Sequence, residues 1–471
     1  MNVVLGKKMC IAWMAVLFSL TAKAQGAQPP VELTLEKAIE IALSENPSVK
    51  VADREIEKVN YAGKSAWYAL IPSLEATGQY SKYLAPSTMS LAGMVVELPT
   101  DFNATATLQL SLPLFAPALW KSIQMTGIDM QLAVEKAYAS RTTLRNDVTK
   151  AYYGILLAQD SYKALQDGYS LAGEVYSQAK KRFELGLSAE YDAISAEVQM
   201  KNLQPNLLEV ENGIERAKLY LKVLMGIDAS VPLIIKGNLS DYEKDIYAAG
   251  GGLGGQTPPL PGAIRNTDLK QLDIQKQLLQ KSLQLQQTQR MPTLAAFGQY
   301  GYAGTGNKAA TSFFTGQFSP ASRSWFSQGL LVGLQLNIPL TGIFTNTFKE
   351  KQTAVQIHQL SIQRDYLEKN IDLQIRTAVD NMNKAAKQVE AAKKNEQLAH
   401  KGYEIASKRY ENGAGTVLEL QNASLALTQS QLTYNQSIES YLSSKADLDK
   451  LLGVNNLTPD PSPFGRGAGE R

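Results

Sequence analysis

The chain of 471 residues repeats itself, and that repeat constrains its fold more than any local pattern does. Ile71-Pro72-Ser73-Leu74-Glu75-Ala76-Thr77-Gly78-Gln79-Tyr80 returns as Met291-Pro292-Thr293-Leu294-Ala295-Ala296-Phe297-Gly298-Gln299-Tyr300, 220 residues later. Leu108-Gln109-Leu110-Ser111-Leu112-Pro113-Leu114 returns as Leu334-Gln335-Leu336-Asn337-Ile338-Pro339-Leu340 at an offset of 226. Arg182, Gly186 and Ala196 return as Arg409, Gly413 and Ala423 at an offset of 227. The matches keep their order, so the chain reads as two like structural repeats, 25–226 and 260–453. Residues 227–259 join them and carry the glycine run 250–255 and Pro258-Pro259, a linker composition. Residues 454–471 are Pro/Gly-rich and read as a disordered tail.

Inside each repeat the hydrophobic period switches. Over 102–115, Phe102, Ala104, Ala106, Leu108, Leu110, Leu112 and Leu114 alternate with Asn103, Thr105, Thr107, Gln109 and Ser111. Period two predicts a strand with one apolar and one wet face. Residues 329–340 repeat the pattern, and 73–83 and 293–303 are weaker partners. The loops between partners are too long for tight hairpins, and strands of this length fit a tilted bilayer crossing. From Leu144 through Val148, Ala151 and Ile155 to Phe183 the apolar spacing becomes 4-3-4-3, a coiled-coil seam. A helix over 118–184, free of proline, is about 100 Å long at ~1.5 Å per residue, too long for the interior of a compact domain. Its counterpart is 343–411. A shorter 3.5-periodic helix covers 188–226, with Pro205 expected to kink or break it, and another covers 48–68 behind Pro47. Each repeat thus reads helix, strand, strand, long helix, helix.

Composition removes other classes. Lys7 and Lys8, the apolar run 9–20 and Ala22-Lys23-Ala24 make residues 1–24 a signal peptide. The net charge of +3 is carried by that leader, and the neutral remainder argues against nucleic acid as a partner. Two histidines and one cysteine, Cys10 in the leader, leave nothing for a metal centre or a redox pair, and no cofactor is called for. His358 and His400 read as surface histidines, and Gly304-Thr305-Gly306-Asn307-Lys308 lacks the spacing of a phosphate loop. No acid–base or nucleophile constellation is visible, so the chain does not read as an enzyme.

Four strands leave two edges, and an edge cannot face lipid. Strands of this kind enter a bilayer only if copies of the chain close a barrel together. Two copies give eight strands with a side-chain-filled interior, whereas three give twelve and an open lumen that suits Asn, Thr, Gln and Ser faces. Physics therefore favours a trimer.

In element order and in its two helix–turn–helix motifs, the sequence resembles the TolC-type outer-membrane efflux proteins over residues 31–453. One motif is Arg182-Phe183-Glu184-Leu185-Gly186-Leu187 through Asp192 and Ala196; the other is Arg409-Tyr410-Glu411-Asn412-Gly413-Ala414 through Glu419 and Ala423. The resemblance implies an α+β membrane protein. Its homotrimer would form a 12-stranded β-barrel, four strands per chain, in the outer membrane of a Gram-negative bacterium. A long α-helical coiled-coil barrel would continue it into the periplasm, with an equatorial region at 227–259. It implies the exit duct of a tripartite efflux or secretion system, with a periplasmic adaptor and an inner-membrane transporter as partners beside the lipid bilayer. The adaptor-docking tips would be Arg182, Gly186, Leu187, Arg409, Gly413 and Ala414. The entrance constriction would involve Glu419, Asn422, Asp192 and Tyr410, with Asp192 and Tyr410 tying neighbouring helices together. Asn422 stands where the family has a second acid, and Gly415 where it often has a base. The alternative is a periplasmic coiled-coil structural protein without a barrel, which leaves the alternating strands unexplained.

Overall fold

The structure is a computed structural model that describes residues 31–84, 87–91, 94–98, 102–248, 266–306, 325–340 and 342–453. The expected signal peptide at 1–24, the glycine run at 250–255 and the expected disordered tail at 454–471 lie outside the described residues. The chain divides into two compact units. One is built from the described parts of 1–50, 140–264 and 373–471, the other from 51–139 and 265–372.

The second unit holds the sheet. Strands β2 (Ser73–Lys82), β5 (Phe102–Phe115), β7 (Thr293–Gly306) and β8 (Trp325–Asn337) pair antiparallel in the order β2-β5-β7-β8. Register carries the period-two pattern across all four strands. Leu74 pairs with Leu110, Leu110 with Gly298 and Gly298 with Val332, one apolar row. Glu75 pairs with Gln109 and Gln109 with Gln299 on the opposite face. The apolar face is uncovered along its last strand: Leu330 is 76% exposed, with Val332, Leu334 and Leu336 also exposed. A row of leucines left open to this extent needs lipid or protein against it. Strand β8 runs over 325–337 rather than 329–340 and ends two residues before Pro339, whereas β5 continues past the equivalent Pro113 with a register shift. Strand β7 runs on through Gly306, so Gly304-Thr305-Gly306 are strand residues and not a loop, while Asn307 and Lys308 lie outside the described residues. The connection between β2 and β5 is not bare loop: β3 (Ser87–Leu91) and β4 (Met94–Leu98) form a separate antiparallel pair within it. No motif at that turn marked it in the sequence.

Around these strands α2 (Pro47–Tyr68) leads up to β2, α3 (Pro117–Glu184) leaves β5, α6 (Thr267–Thr288) precedes β7, and α7 (Gly342–Glu411) follows β8, with their residues within 51–139 and 265–372 in this unit. Trp67 meets Trp120 edge-on at 6.1 Å. Polar ties lie between these helices. The largely buried carboxylate of Glu135 accepts from Lys270 at 2.5 Å, and Arg364 reaches Asp273 and Glu368, both at 2.8 Å. Removing the half-exposed Lys270 would leave the buried Glu135 carboxylate without its cation, which costs more than an exposed pair contributes.

The first unit holds the remaining helices: α1 (Leu35–Glu45), α4 (Glu190–Met225), α5 (Glu243–Ala248) and α8 (Val417–Leu452), with the adjoining turns of α3 and α7. Strands β1 (Val31–Leu33) and β6 (Leu233–Ile235) pair parallel. The buried Tyr152 hydroxyl of α3 donates to the carbonyl of Lys236 just beyond β6, which fastens this pair to the long helix. Burial raises the Tyr152 hydroxyl pKa to about 12, so it stays a donor at neutral pH. Part of the connection 227–259 is therefore ordered structure rather than featureless linker. Pro205 neither ends nor interrupts α4, which is continuous from Glu190 to Met225. Lys201, whose carbonyl loses its partner there, is exposed, so water can satisfy the freed oxygen.

Candidate functional site

The two helix–turn–helix tips lie in the first unit, and their local geometry follows from sequence. Tip 1 spans the five residues between Glu184 and Glu190, tip 2 the five between Glu411 and Val417. At tip 1 the Leu187 N–H donates to the Arg182 carbonyl at 2.7 Å and the Gly186 N–H to the Phe183 carbonyl at 2.8 Å. At tip 2 the Ala414 N–H donates to the Arg409 carbonyl at 2.8 Å and the Gly413 N–H to the Tyr410 carbonyl at 3.0 Å. This bonding needs a left-handed residue after the helix. Gly186 (φ +69°) and Gly413 (φ +72°) supply it without steric cost.

The returning helices start differently. Thr416 caps α8: its hydroxyl accepts from the Glu419 N–H at 3.2 Å. Thr416-x-x-Glu419 is a recognisable N-terminal helix signal, and Glu419 in the first turn also faces the positive end of the helix dipole. Ala189 stands at the same place before α4 and makes no side-chain cap, although Glu190 and Asp192 still load the first turn with negative charge.

The two repeat-related arginines diverge further. The Arg182 guanidinium lies over the Tyr410 ring, 4.9 Å from its centroid, and donates to the Tyr410 carbonyl. A β-carbon at Gly413 would come within 3.3 Å of Arg182 Nη2, so that glycine also makes room for the arginine. Tyr410 itself is 5% exposed, in a cluster with Val175, Ala179, Ala196, Val417 and Leu420. Its phenolic oxygen is buried without a hydrogen-bond partner. Burial raises the Tyr410 pKa; Arg182 pulls it back down and the Asp192 charge adds to the rise. Arg409, by contrast, stays within its own tip. It donates to the Ala414 carbonyl at 3.2 Å and stands 3.6 Å from the Glu419 carboxylate, with 55% of its side chain exposed.

The predicted residues thus fall into two groups. Arg182, Tyr410 and Gly413 are in contact, with Asp192 near enough for its charge to act on Tyr410. Arg409, Ala414 and Glu419 form the second group. Gly186, Leu187 and Asn422 are exposed. The bond that ties Tyr410 to the other hairpin runs from Arg182 to its carbonyl, and the Tyr410 hydroxyl takes no part. The stacking of Arg182, the cap at Thr416 and the Arg409–Glu419 pair were not read from sequence. Only the cap had a signal there, the Thr-x-x-Glu pattern. His358 and His400 lie in α7, where His400 Nδ1 is 3.3 Å from Glu404. Among the described residues no group of three His, Cys, Asp or Glu could hold a metal ion, and no helix is long and apolar enough to cross a membrane.

Known proteins share the fold. The family model described as "Outer membrane efflux protein" matches the chain at residues 38–227 and 263–454. The outer membrane protein TolC of Vibrio cholerae serotype O1 is 20% identical over 353 residues, 74% of this chain and 76% of its own length. The CmeC outer membrane channel of Campylobacter jejuni superposes with a TM-score of 0.69 at 16% identity, over 92% of this chain and 91% of its own. The Vibrio cholerae outer membrane protein VceC superposes with a TM-score of 0.68 at 16% identity, over 89% of this chain and 96% of its own.

Proposed function

Because the chain belongs to the outer membrane efflux protein family, whose members are outer-membrane channel proteins and not enzymes, we propose that it is a passive exit duct. In this reading three copies assemble into the exit duct of a tripartite efflux or secretion system. The observation that carries it is the four-stranded sheet. Its apolar row runs in register across every strand and is left exposed, and among the described residues its two outer strands each have a neighbour on one side only. All four strands alternate in direction, so β8 of one copy meets β2 of the next antiparallel, and the alternation survives closure. Three copies make twelve strands around a lumen lined by Gln109, Gln299 and their wet neighbours, with the leucines toward lipid. A coiled-coil protein confined to the periplasm would leave that leucine face without a role.

The duct's partners are a periplasmic adaptor and, through it, an inner-membrane transporter. The adaptor docks on the tips, where Gly186, Leu187 and the turn of Gly413 and Ala414 are the connections available end-on. Glu419, with Asn422 a turn away, lies at the entrance and biases it toward cations. The leader at 1–24 carries the chain across the inner membrane.

Reconstitution of the purified protein in planar bilayers tests the duct. Leu334→Arg places a charge against lipid, a cost of about 2–4 kcal/mol per chain at mid-bilayer, and should abolish insertion. Gln335→Arg, one residue along, should leave insertion intact and shift conductance and ion preference. Equal tolerance of both changes would refute the assignment of the faces, and channels that form without trimers would refute the assembly.

A further inference from the structure

Every part of the Arg182 contact has a counterpart in the other repeat, and there the contact is unmade. Arg182 corresponds to Arg409, Tyr410 to Phe183 and Gly413 to Gly186 at the same offset of 227. Within the chain, Arg182 of tip 1 covers the ring of tip 2, shares its carbonyl with the Gly413 N–H, and fills the space beside Gly413. The ring of tip 1 has no such cover: Phe183 is 41% exposed. Its carbonyl already bonds the Gly186 N–H, just as the Tyr410 carbonyl bonds Gly413, and still has a lone pair for a guanidinium donor. A β-carbon at Gly186 meets nothing within 4 Å, so the space that an arginine fills at tip 2 is empty at tip 1. Arg409, the one residue equivalent to Arg182, is mostly exposed and holds only its own turn and Glu419.

We infer that Arg409 is an intersubunit residue. In the assembled duct it leaves its own Glu419, stacks on Phe183 of the partner subunit and donates to that residue's carbonyl. The occupant of the open tip 1 is thus tip 2 of a second copy. A contact in which tip 2 of each copy covers tip 1 of the next is heterologous, head to tail, and three copies would complete it as a ring. A guanidinium suits the role because it offers a flat face to a ring and several N–H donors at its edge. The move also changes the charge at the entrance. In the lone chain Glu419 has a cation 3.6 Å away. In the ring its carboxylate is released, so acidity at the entrance is a property of the assembly. This inference rests on the trimeric duct proposed above.

The test uses full-length chains in a Cys10→Ser background. One chain carries Arg409→Cys and the other Phe183→Cys; they are co-expressed, and outer membranes are treated with a short bis-maleimide. Each chain has one thiol, so a mixed product joining the two positions can form only between chains. The expected result is a covalent dimer of the two chains, absent when Arg182→Cys and Tyr410→Cys are paired in the same way, since that contact lies within one chain. Native mass spectrometry of the same samples reports assembly. Trimers without the Arg409–Phe183 dimer overturn the inference and leave the duct intact. Absence of trimers from the unsubstituted protein overturns the duct, and the inference with it. Both positions are exposed in the chain, and if the substituted chains still fail to assemble, Lys408→Cys with Glu184→Cys probes the same proximity with the same readings.

Discussion

The two tips share a turn and differ in almost everything built on it. Both reverse the chain through a left-handed glycine with the same pair of backbone bonds. Tip 2 is finished within the chain: its ring is buried, its carbonyl takes an arginine from the other repeat, and its returning helix is capped by Thr416. Tip 1 has an exposed ring, an uncapped helix start and no arginine on its glycine. The difference teaches that the turn is fixed by local sequence, whereas the rigidity of a tip comes from what crosses to it. Duplication supplied two equal turns, and packing made them unequal.

Several substitutions would break or sharpen that contrast, each read by hydrogen exchange at the amides of Gly186, Leu187, Gly413 and Ala414, which close the turns. The largest effect belongs to Tyr410→Ala. Removing a buried ring costs about 3–5 kcal/mol, so exchange at tip 2 should accelerate by orders of magnitude, while Phe183→Ala in the unassembled chain should change little. Equal responses would mean that the two tips are packed alike. Arg182→Ala comes next. Loss of a cation–π contact and a hydrogen bond to a carbonyl should weaken tip 2 by roughly 1–3 kcal/mol. Arg409→Ala, which breaks an exposed pair and an exposed hydrogen bond to the Ala414 carbonyl, should cost the lone chain less than about 1 kcal/mol. The caps rank third: Thr416→Ala should cost about 1 kcal/mol, and Ala189→Asp should add a similar amount to tip 1 by installing the missing cap. The smallest effect is expected for Tyr410→Phe, which gives tip 2 the ring of tip 1. Its hydroxyl is buried without a partner, so deletion should be neutral or stabilising within about 1 kcal/mol. The same substitution should remove a pH dependence. Burial holds the Tyr410 pKa above its ordinary value, so the tip keeps its full stability below about pH 10 and loses it as pH rises further, where the unfolded tyrosine ionises first. A slope that survives in Tyr410→Phe would have to come from another group.

The elements most legible in the sequence were those whose signal is periodic. The alternation over Phe102–Leu114 and the 4-3-4-3 spacing from Leu144 to Phe183 both have physical counterparts, in β5 and in α3. Gly186 and Gly413 announced the turns because few other residues tolerate their backbone angles. The β3–β4 pair and the parallel β1–β6 pair were missed, since strands of three to five residues carry too few positions for a period to show. Pro205 does not break its helix: a proline in an exposed stretch of long helix is tolerated where water replaces the lost bond. At the tips, sequence comparison showed that Arg182 and Arg409 are equivalent, yet nothing in it said that one would cross to the other hairpin and its twin would not. That outcome depends on which surfaces meet, and a repeat contains no record of its own neighbours.

The open edges of the sheet bear on the history of each copy before it reaches its destination. A newly exported chain crosses an aqueous compartment with two strands ready to accept any extended peptide and a row of leucines uncovered. In the proposed trimer, pairing with two sister chains competes with aggregation until the barrel closes, and both rise with concentration. A holdase that shields strand edges would set the chain's yield, and limiting supplies of such a chaperone should deplete this protein well before compact periplasmic enzymes whose sheets are already covered.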